Sequence, residues 1–376
     1  MSLDDLDVAE LRRRQSEKWG RHGGDVLGLG IAEMDFPLAE PVRQVLVEAV
    51  ERGDCGYVDS GNLALQQAFA GFAADEWGWT VDPDGVLPAT DVMLGIERVL
   101  MRVTEPGEPV VITPPVYPPY FVTINGIGRR VAEVPLVEGR LDLAGIGAAF
   151  AAGGRAMLLC NPHNPTGRVV PADELRELAA IAARHGATVI ADEIHAPLVL
   201  GDATHQPFLA LGGEAAEVGV TVTSTSKGWN LAALKCAVIV TADGPQREVV
   251  ATLGPNAHDR VGYLGWLASV AAWNDGREWL AELRSILRRN RDLLAQLLAE
   301  QLPQARYTPG DAGYLAWIDF REMGLGDDPA AELLERTGVA LTHGPPFGRP
   351  GRGHARLNFA TSEAILREAV ARLARR

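Results

Sequence analysis

Lysine is nearly missing from this chain: of its 35 basic residues only Lys18, Lys227 and Lys235 carry an amine, and the rest are arginines. A guanidinium stays protonated and is a poor nucleophile. Chemistry that needs a primary amine is therefore confined to three positions, two of them in the stretch TSTSKGWNLAALKCAV at 223–238. Cysteine is scarce too. Cys55, Cys160 and Cys236 form no C-x-x-C pair, which argues against a disulfide framework and fits a reducing compartment. No run of about 18 apolar residues occurs, so no membrane-spanning helix is expected. The polar start MSLDDLDVAELRRR has no signal-peptide core, and a cytoplasmic location is expected. Positive charge is in deficit: a net charge of −14 argues against nucleic acid and anionic membranes as partners. The triplet Arg12–Arg14 lies among acidic residues and reads as a solvated helix face.

What is present is a long, patterned chain. Its 376 residues exceed the usual size of one core and suggest two domains. Apolar runs at 109–113, 156–160, 187–192, 219–224 and 236–240 alternate with amphipathic stretches such as PADELRELAAIAARHG at 171–186. Continuous apolar strands alternating with helices predict an α/β fold with a mostly parallel sheet between helices. Near residue 276 the pattern changes to a long charged helix, then YLAWIDF, a helix near 329–337, RLNFA and a final helix. The expectation is a large domain at 46–275 and a smaller, discontinuous α+β domain from 1–45 and 276–376.

Ligands of such sheets sit beyond the carboxyl ends of the strands. There AMLLC runs into NPHNPTG, ATVIAD into EIH, and GVTVTS into TSK, while Thr90 and Asp91 open an amphipathic helix. One site built from Asn164, Asp192, Ser224 and Lys227 is predicted. Lys227 offers an amine able to form a Schiff base. Asp192, after an apolar strand, is costly unless paired, and a cationic heterocyclic nitrogen would pair it. Thr90 at a helix start, with Ser224 nearby, suits a phosphate. Amine, carboxylate and phosphate cradle together match pyridoxal 5′-phosphate. A metal reading of Asp192, Glu193, His195 and His205 is weaker, because no H-E-x-x-H occurs; GLGIAE at 28–33 is no dinucleotide fingerprint.

The stretches AEMDFP, PPVYPPY, NPHNPTGRV, ADEIHAPLVL, SKGWNLAAL and FGRPGRGHARLNFA carry a resemblance. The chain resembles fold-type I pyridoxal-phosphate enzymes of the class I/II aminotransferase superfamily, and within it the bacterial cystathionine β-lyase/C–S lyase branch. The resemblance implies that Lys227 bears the cofactor and shuttles the α-proton. It implies that Asp192 pairs with the pyridine nitrogen, Asn164 bonds the ring oxygen and Tyr117 stacks on the ring. It further implies that Ala89 and Thr90 give backbone amides, and Ser224 a hydroxyl, to the phosphate, that His195 lies beside the cofactor, and that Arg356 clamps the substrate carboxylate. Tyr57 would reach the neighbouring subunit's phosphate, which requires a homodimer with shared active sites.

Three departures stand out. Lys235 occupies a position where many aminotransferases have arginine, and could grip the phosphate as a point charge. Pro118 follows Tyr117 where the lyase branch often has a second tyrosine, with Tyr120 coming later. PATDV replaces a more usual glycine-containing turn. The reaction expected from the resemblance is β-elimination from cystathionine or a related L-cysteine S-conjugate, releasing thiol, pyruvate and ammonia. Transamination is the alternative, and a regulatory binding protein retaining the fold is a second.

Overall fold

The computed structural model describes residues 3–253 and 260–375. A short strand β1 (Leu27–Gly28) precedes a seven-stranded sheet. The sheet is built from β2 (Val86–Ala89), β3 (Pro109–Ile112), β4 (Arg130–Glu133), β5 (Ala156–Cys160), β6 (Thr188–Asp192), β7 (Gly219–Thr223) and β8 (Ala237–Val240). Its order is β2-β8-β7-β6-β5-β3-β4, with β8 antiparallel to both neighbours and the other pairings parallel. Every residue of β5, β6, β7 and β8 is buried, as continuous apolar strands covered on both faces require.

Covering helices obey ordinary end rules. Ala172–His185 has Asp173 and Glu174 in its first turn, Arg184 and His185 in its last, and left-handed Gly186 as its stop. Val92–Val103 is capped by Asp91, whose side chain accepts from the Leu94 amide at 2.8 Å. It packs its Gly95 against Val222 and Ile239, and a β-carbon there would come within 3.1 Å of Val222.

The C-terminal part adds β9 (Arg306–Tyr307), β10 (Leu315–Asp319), β11 (Val339–Ala340), β12 (Thr342–His343) and β13 (His354–Asn358). Four of these form the antiparallel sheet β12-β13-β10-β9, while β11 pairs in parallel with β1. Gly276 separates the helix Tyr263–Asp275 from the 25-residue helix Arg277–Gln301. No helix among the described residues is long and apolar enough to cross a membrane.

The N-terminal residues after β1 run as a strap, 29–35, bent at 30–32, between these two parts. Its carbonyls are gripped one after another. Leu29 accepts from the Asn358 amide, Gly30 from Arg356 and Thr342, and Ile31 from the Asn358 side chain. Glu33 accepts from Lys18 and Asn358, and Met34 from Arg14 and Asn230. Gly30 has no room for a side chain, because a β-carbon there would lie 3.0 Å from the Leu341–Thr342 backbone. The arginine triplet corrects the expectation of a solvated face. Arg12 and Arg13 pair with surface carboxylates, but Arg14 reaches inward to the Met34 and Asp35 carbonyls.

Candidate active site

Because β5, β6 and β7 are parallel, their carboxyl ends share one edge of the sheet, and the antiparallel β8 brings its amino end there too. The chain leaving β5 supplies Asn164, β6 ends at Asp192, and β7 runs through Ser224 into the turn of helix Thr225–Gly228 that carries Lys227. These four residues line one cavity of about 260 Å³, together with Tyr117, His195, Lys235 and the start of helix Val92–Val103.

Asp192 lies at the buried end of the cavity. Its Oδ2 accepts the Tyr120 hydroxyl at 2.7 Å and its Oδ1 the Ile194 amide at 3.2 Å. Both donors are neutral, and burial pushes the carboxyl up to about 6. A carboxylate this enclosed is completed by a cation, and a protonated heterocyclic nitrogen in the cavity would supply one. Lys227 faces it from the other side. Its Nζ donates to the Ala32 carbonyl at 2.8 Å, and burial, reinforced by Arg356, pulls its amine down to about 8. Near neutrality such an amine is partly unprotonated and can act as a nucleophile.

The Asn164 side-chain oxygen accepts from Arg356 Nη1 at 3.0 Å, so its NH₂ group remains for the cavity. Arg356, 5% exposed, also donates to the Gly30 carbonyl and Thr342 hydroxyl at 3.3 Å each, and its guanidinium lies 5.2 Å over the Phe347 ring. Every one of these partners is uncharged, and burial lowers the guanidinium to about 10. A carboxylate ligand would satisfy it. Tyr117 stands edge-on to Tyr120, with ring centroids 5.8 Å apart. His195, also on the cavity wall, is pulled down to about 3 by burial, then by Lys227 and Arg356, and is neutral.

At the phosphate end two hydroxyls already have partners. The Thr90 hydroxyl donates to the Arg260 carbonyl, and the Ser224 hydroxyl to the Cys236 carbonyl at 2.6 Å. Both protons are thus engaged within the protein. Ala89 and Thr90 lie off the cavity wall, Ala89 paired with Ala237 inside the sheet. Ser226 and Lys235 do line the cavity, and Lys235 Nζ pairs with Asp91 at 3.2 Å. Tyr57 is 85% exposed and outside the cavity. Glu193 and His205 face each other at 3.7 Å, with Glu193 also accepting from the Phe208 amide.

Sequence reasoning missed three contributors. Tyr120 lies two residues past the Pro118 that breaks the tyrosine pair, yet the first turn of helix Pro119–Gly126 aims it at Asp192. The Ala32 carbonyl and the Tyr314 hydroxyl, which donates to it at 2.9 Å, were not anticipated. AEMDFP signalled that the strap mattered, but a backbone acceptor has no side-chain signature.

The donor set fits pyridoxal phosphate: an amine of lowered basicity, a buried carboxylate with uncharged partners, an amide NH₂, an aromatic ring and a lysine at a helix start. Comparisons point the same way. The chain is 37% identical to a cystathionine β-lyase of Corynebacterium glutamicum, with 98% of each chain covered. It is 31% identical to the cystathionine β-lyase PatB of Bacillus subtilis, with 96% of each covered. A crystal structure from Corynebacterium diphtheriae, described as a "putative plp-dependent beta-cystathionase", superposes with a TM-score of 0.95 at 37% identity, covering 99% of this chain and 98% of that one. The sequence pattern described as aminotransferase class I and II matches residues 24–373, and the chain belongs to that family.

Proposed function

We propose that this chain is a pyridoxal-phosphate-dependent carbon–sulfur β-lyase that acts on cystathionine or related L-cysteine S-conjugates, releasing thiol, pyruvate and ammonia. One observation carries the reading: the half-buried Lys227 amine and the buried Asp192 carboxylate face one cavity, each held by uncharged partners. The relatives named cystathionine β-lyase at 31% and 37% identity favour elimination over transamination.

Lys227 would hold the cofactor through its aldehyde, Asp192 its ring nitrogen, Asn164 its ring oxygen, Tyr117 its ring face, and Lys235 with Ser226 its phosphate. Bound there, pyridoxal phosphate draws negative charge from the substrate's α-carbon into its ring. The protein's own share is then positional and electrostatic. Arg356 orients the substrate through its α-carboxylate. Lys227, once free, accepts the α-proton at Nζ, which its lowered basicity near neutrality permits. Asp192 keeps the ring nitrogen protonated and so deepens the charge sink. The Cβ–S bond breaks because a thiolate is a good leaving group beside a carbanion. We further propose a cytoplasmic homodimer in which the exposed Tyr57 completes the partner's site.

The test is to incubate the cofactor-loaded protein with a panel of cysteine thioethers, with and without 2-oxoglutarate. Pyruvate, ammonia and thiol formed without an oxo-acid acceptor is the expected result. Absence of pyruvate from every thioether, together with amino transfer to 2-oxoglutarate, would replace the lyase by an aminotransferase.

A further inference from the structure

The Ala32 carbonyl takes two donors at once: Lys227 Nζ at 2.8 Å and the Tyr314 hydroxyl at 2.9 Å. A carbonyl oxygen has two lone pairs, so both bonds form, but each draws electron density from the same atom. Tyr314 is well placed to be the constant member of the pair. It is 1% exposed, its backbone carbonyl accepts from the Phe359 amide at 2.9 Å, and its ring sits edge-on to His195 at 6.0 Å. Burial raises its phenol above the ordinary range, so the proton stays on the oxygen and the hydroxyl remains a donor. The carbonyl is fixed as well, since the bonds to Ile31 and Glu33 hold the strap on either side of Ala32.

We infer that Tyr314 is a positioning residue for Lys227: through the shared Ala32 carbonyl it fixes where the free amine rests and limits how well that carbonyl stabilises the protonated amine. The inference rests on the proposed role of Lys227 as the reacting amine. A lysine released during turnover needs a resting point that neither lets it wander nor traps it as an ammonium. A carbonyl alone would fix the position but favour the ammonium, because a cation is the stronger donor. A second, neutral donor on the same oxygen weakens that preference. Other groups facing Nζ act in both directions. Arg356 from β13 and Lys235 from beyond the helix oppose the positive charge, and Glu33 from the strap and Asp192 from β6 favour it. His195 faces it as a neutral ring, and Tyr117 stands on the same cavity wall. None of these shares the oxygen on which the amine rests, so the effect of Tyr314 separates from theirs.

The scarcity of lysine makes a direct test possible. In full-length protein freed of cofactor, shown folded by circular dichroism and by reloading, trace acetylation with acetic anhydride followed by peptide mass spectrometry reads three lysines separately. Lys18 is buried in an ion pair and Lys235 lies at the surface, so both serve as internal references. Tyr314→Phe removes only the hydroxyl. The pH midpoint for Lys227 acetylation should move up by about one unit, while that of Lys235 stays put. Site-specific 3-fluorotyrosine at position 314, a stronger donor of nearly the same shape, should move the midpoint down. This second substitution also keeps the inference testable if Tyr314→Phe fails to fold. Unchanged Lys227 midpoints in folded protein, or shifts in the opposite directions, would overturn it. Borohydride trapping of pyridoxal phosphate on wild-type Lys227 reads the functional proposal independently. Trapping with no midpoint shift removes the role of Tyr314 and leaves the cofactor reading. A midpoint shift without trapping does the reverse.

Discussion

Lys18 and Asp35 form an ion pair, Nζ to Oδ2 at 3.0 Å, with neither side chain exposed to solvent. Lys18 also reaches the Glu33 and Ala360 carbonyls, while Asp35 accepts the Trp19 indole at 2.6 Å. The third lysine of the chain thus locks the end of the strap whose middle holds Lys227.

Removing one partner of a buried pair leaves the other uncompensated, at a cost of roughly 3–5 kcal/mol. Lys18→Met should destabilise the fold by that amount in urea unfolding. The double variant Lys18→Met/Asp35→Leu should recover much of the loss, and a double variant no better than the single one would refute a pairwise origin.

Asp192 provides a test with a sign. Its folded carboxyl stands at about 6 against an ordinary 3.8, so the fold disfavours the carboxylate. A carboxyl raised in the folded state lowers stability as pH climbs between these values, and the cost is complete above the upper one. In cofactor-free protein Asp192→Asn should therefore raise stability at pH 7 by about 1–3 kcal/mol. The gain should vanish below about pH 4. The same variant should bind pyridoxal phosphate more weakly. Thermal denaturation across pH, with and without cofactor, reads both effects; a loss of stability at pH 7 without cofactor would contradict the account.

The inner strands are legible in the sequence because burial on both faces leaves few polar residues to break the run. The two edge strands were not. Pro88 interrupts β2, which an edge tolerates, and Arg130–Glu133 in β4 carries charge at both ends. Lys227, Asp192 and Asn164 were legible because reactive side chains at strand ends have few bland explanations in combination. Arg14 is not legible, because the helix stops at Leu11 and its guanidinium crosses to carbonyls some twenty residues on. The engagement of the Ser224 hydroxyl is not legible, because nothing local reveals its carbonyl partner at Cys236, 12 residues away.

Lys227 should capture cofactor in a pH-dependent way. With its amine at about 8, the neutral fraction rises close to tenfold per pH unit below that point and levels above it. Stopped-flow absorbance of pyridoxal phosphate mixed with cofactor-free protein should follow this curve. Lys227→Ala should show no such phase, and a rate flat from about pH 6 to about pH 9 would place the capturing group elsewhere.

Tyr57 tests the shared site. Tyr57→Phe and Lys227→Ala proteins, each weak or inactive alone, should regain activity when their subunits exchange, because one heterodimer site then has both side chains intact. Confirmed exchange with no recovered activity would mean that each subunit works alone.

The grip on the strap has a consequence for how the protein is made. Asn358 reaches back to the Ile31 carbonyl across 327 positions, and Arg356 to Gly30 across 326. A nascent chain emerges from the ribosome amino end first, so the strap waits for the residues that seat it until more than three hundred further positions have been made. Until then Ala32 has no fixed carbonyl to offer Lys227. Competence for cofactor should therefore appear only once β13 has emerged, and stalled chains that end before β13 should lack it, however well their seven-stranded sheet has formed.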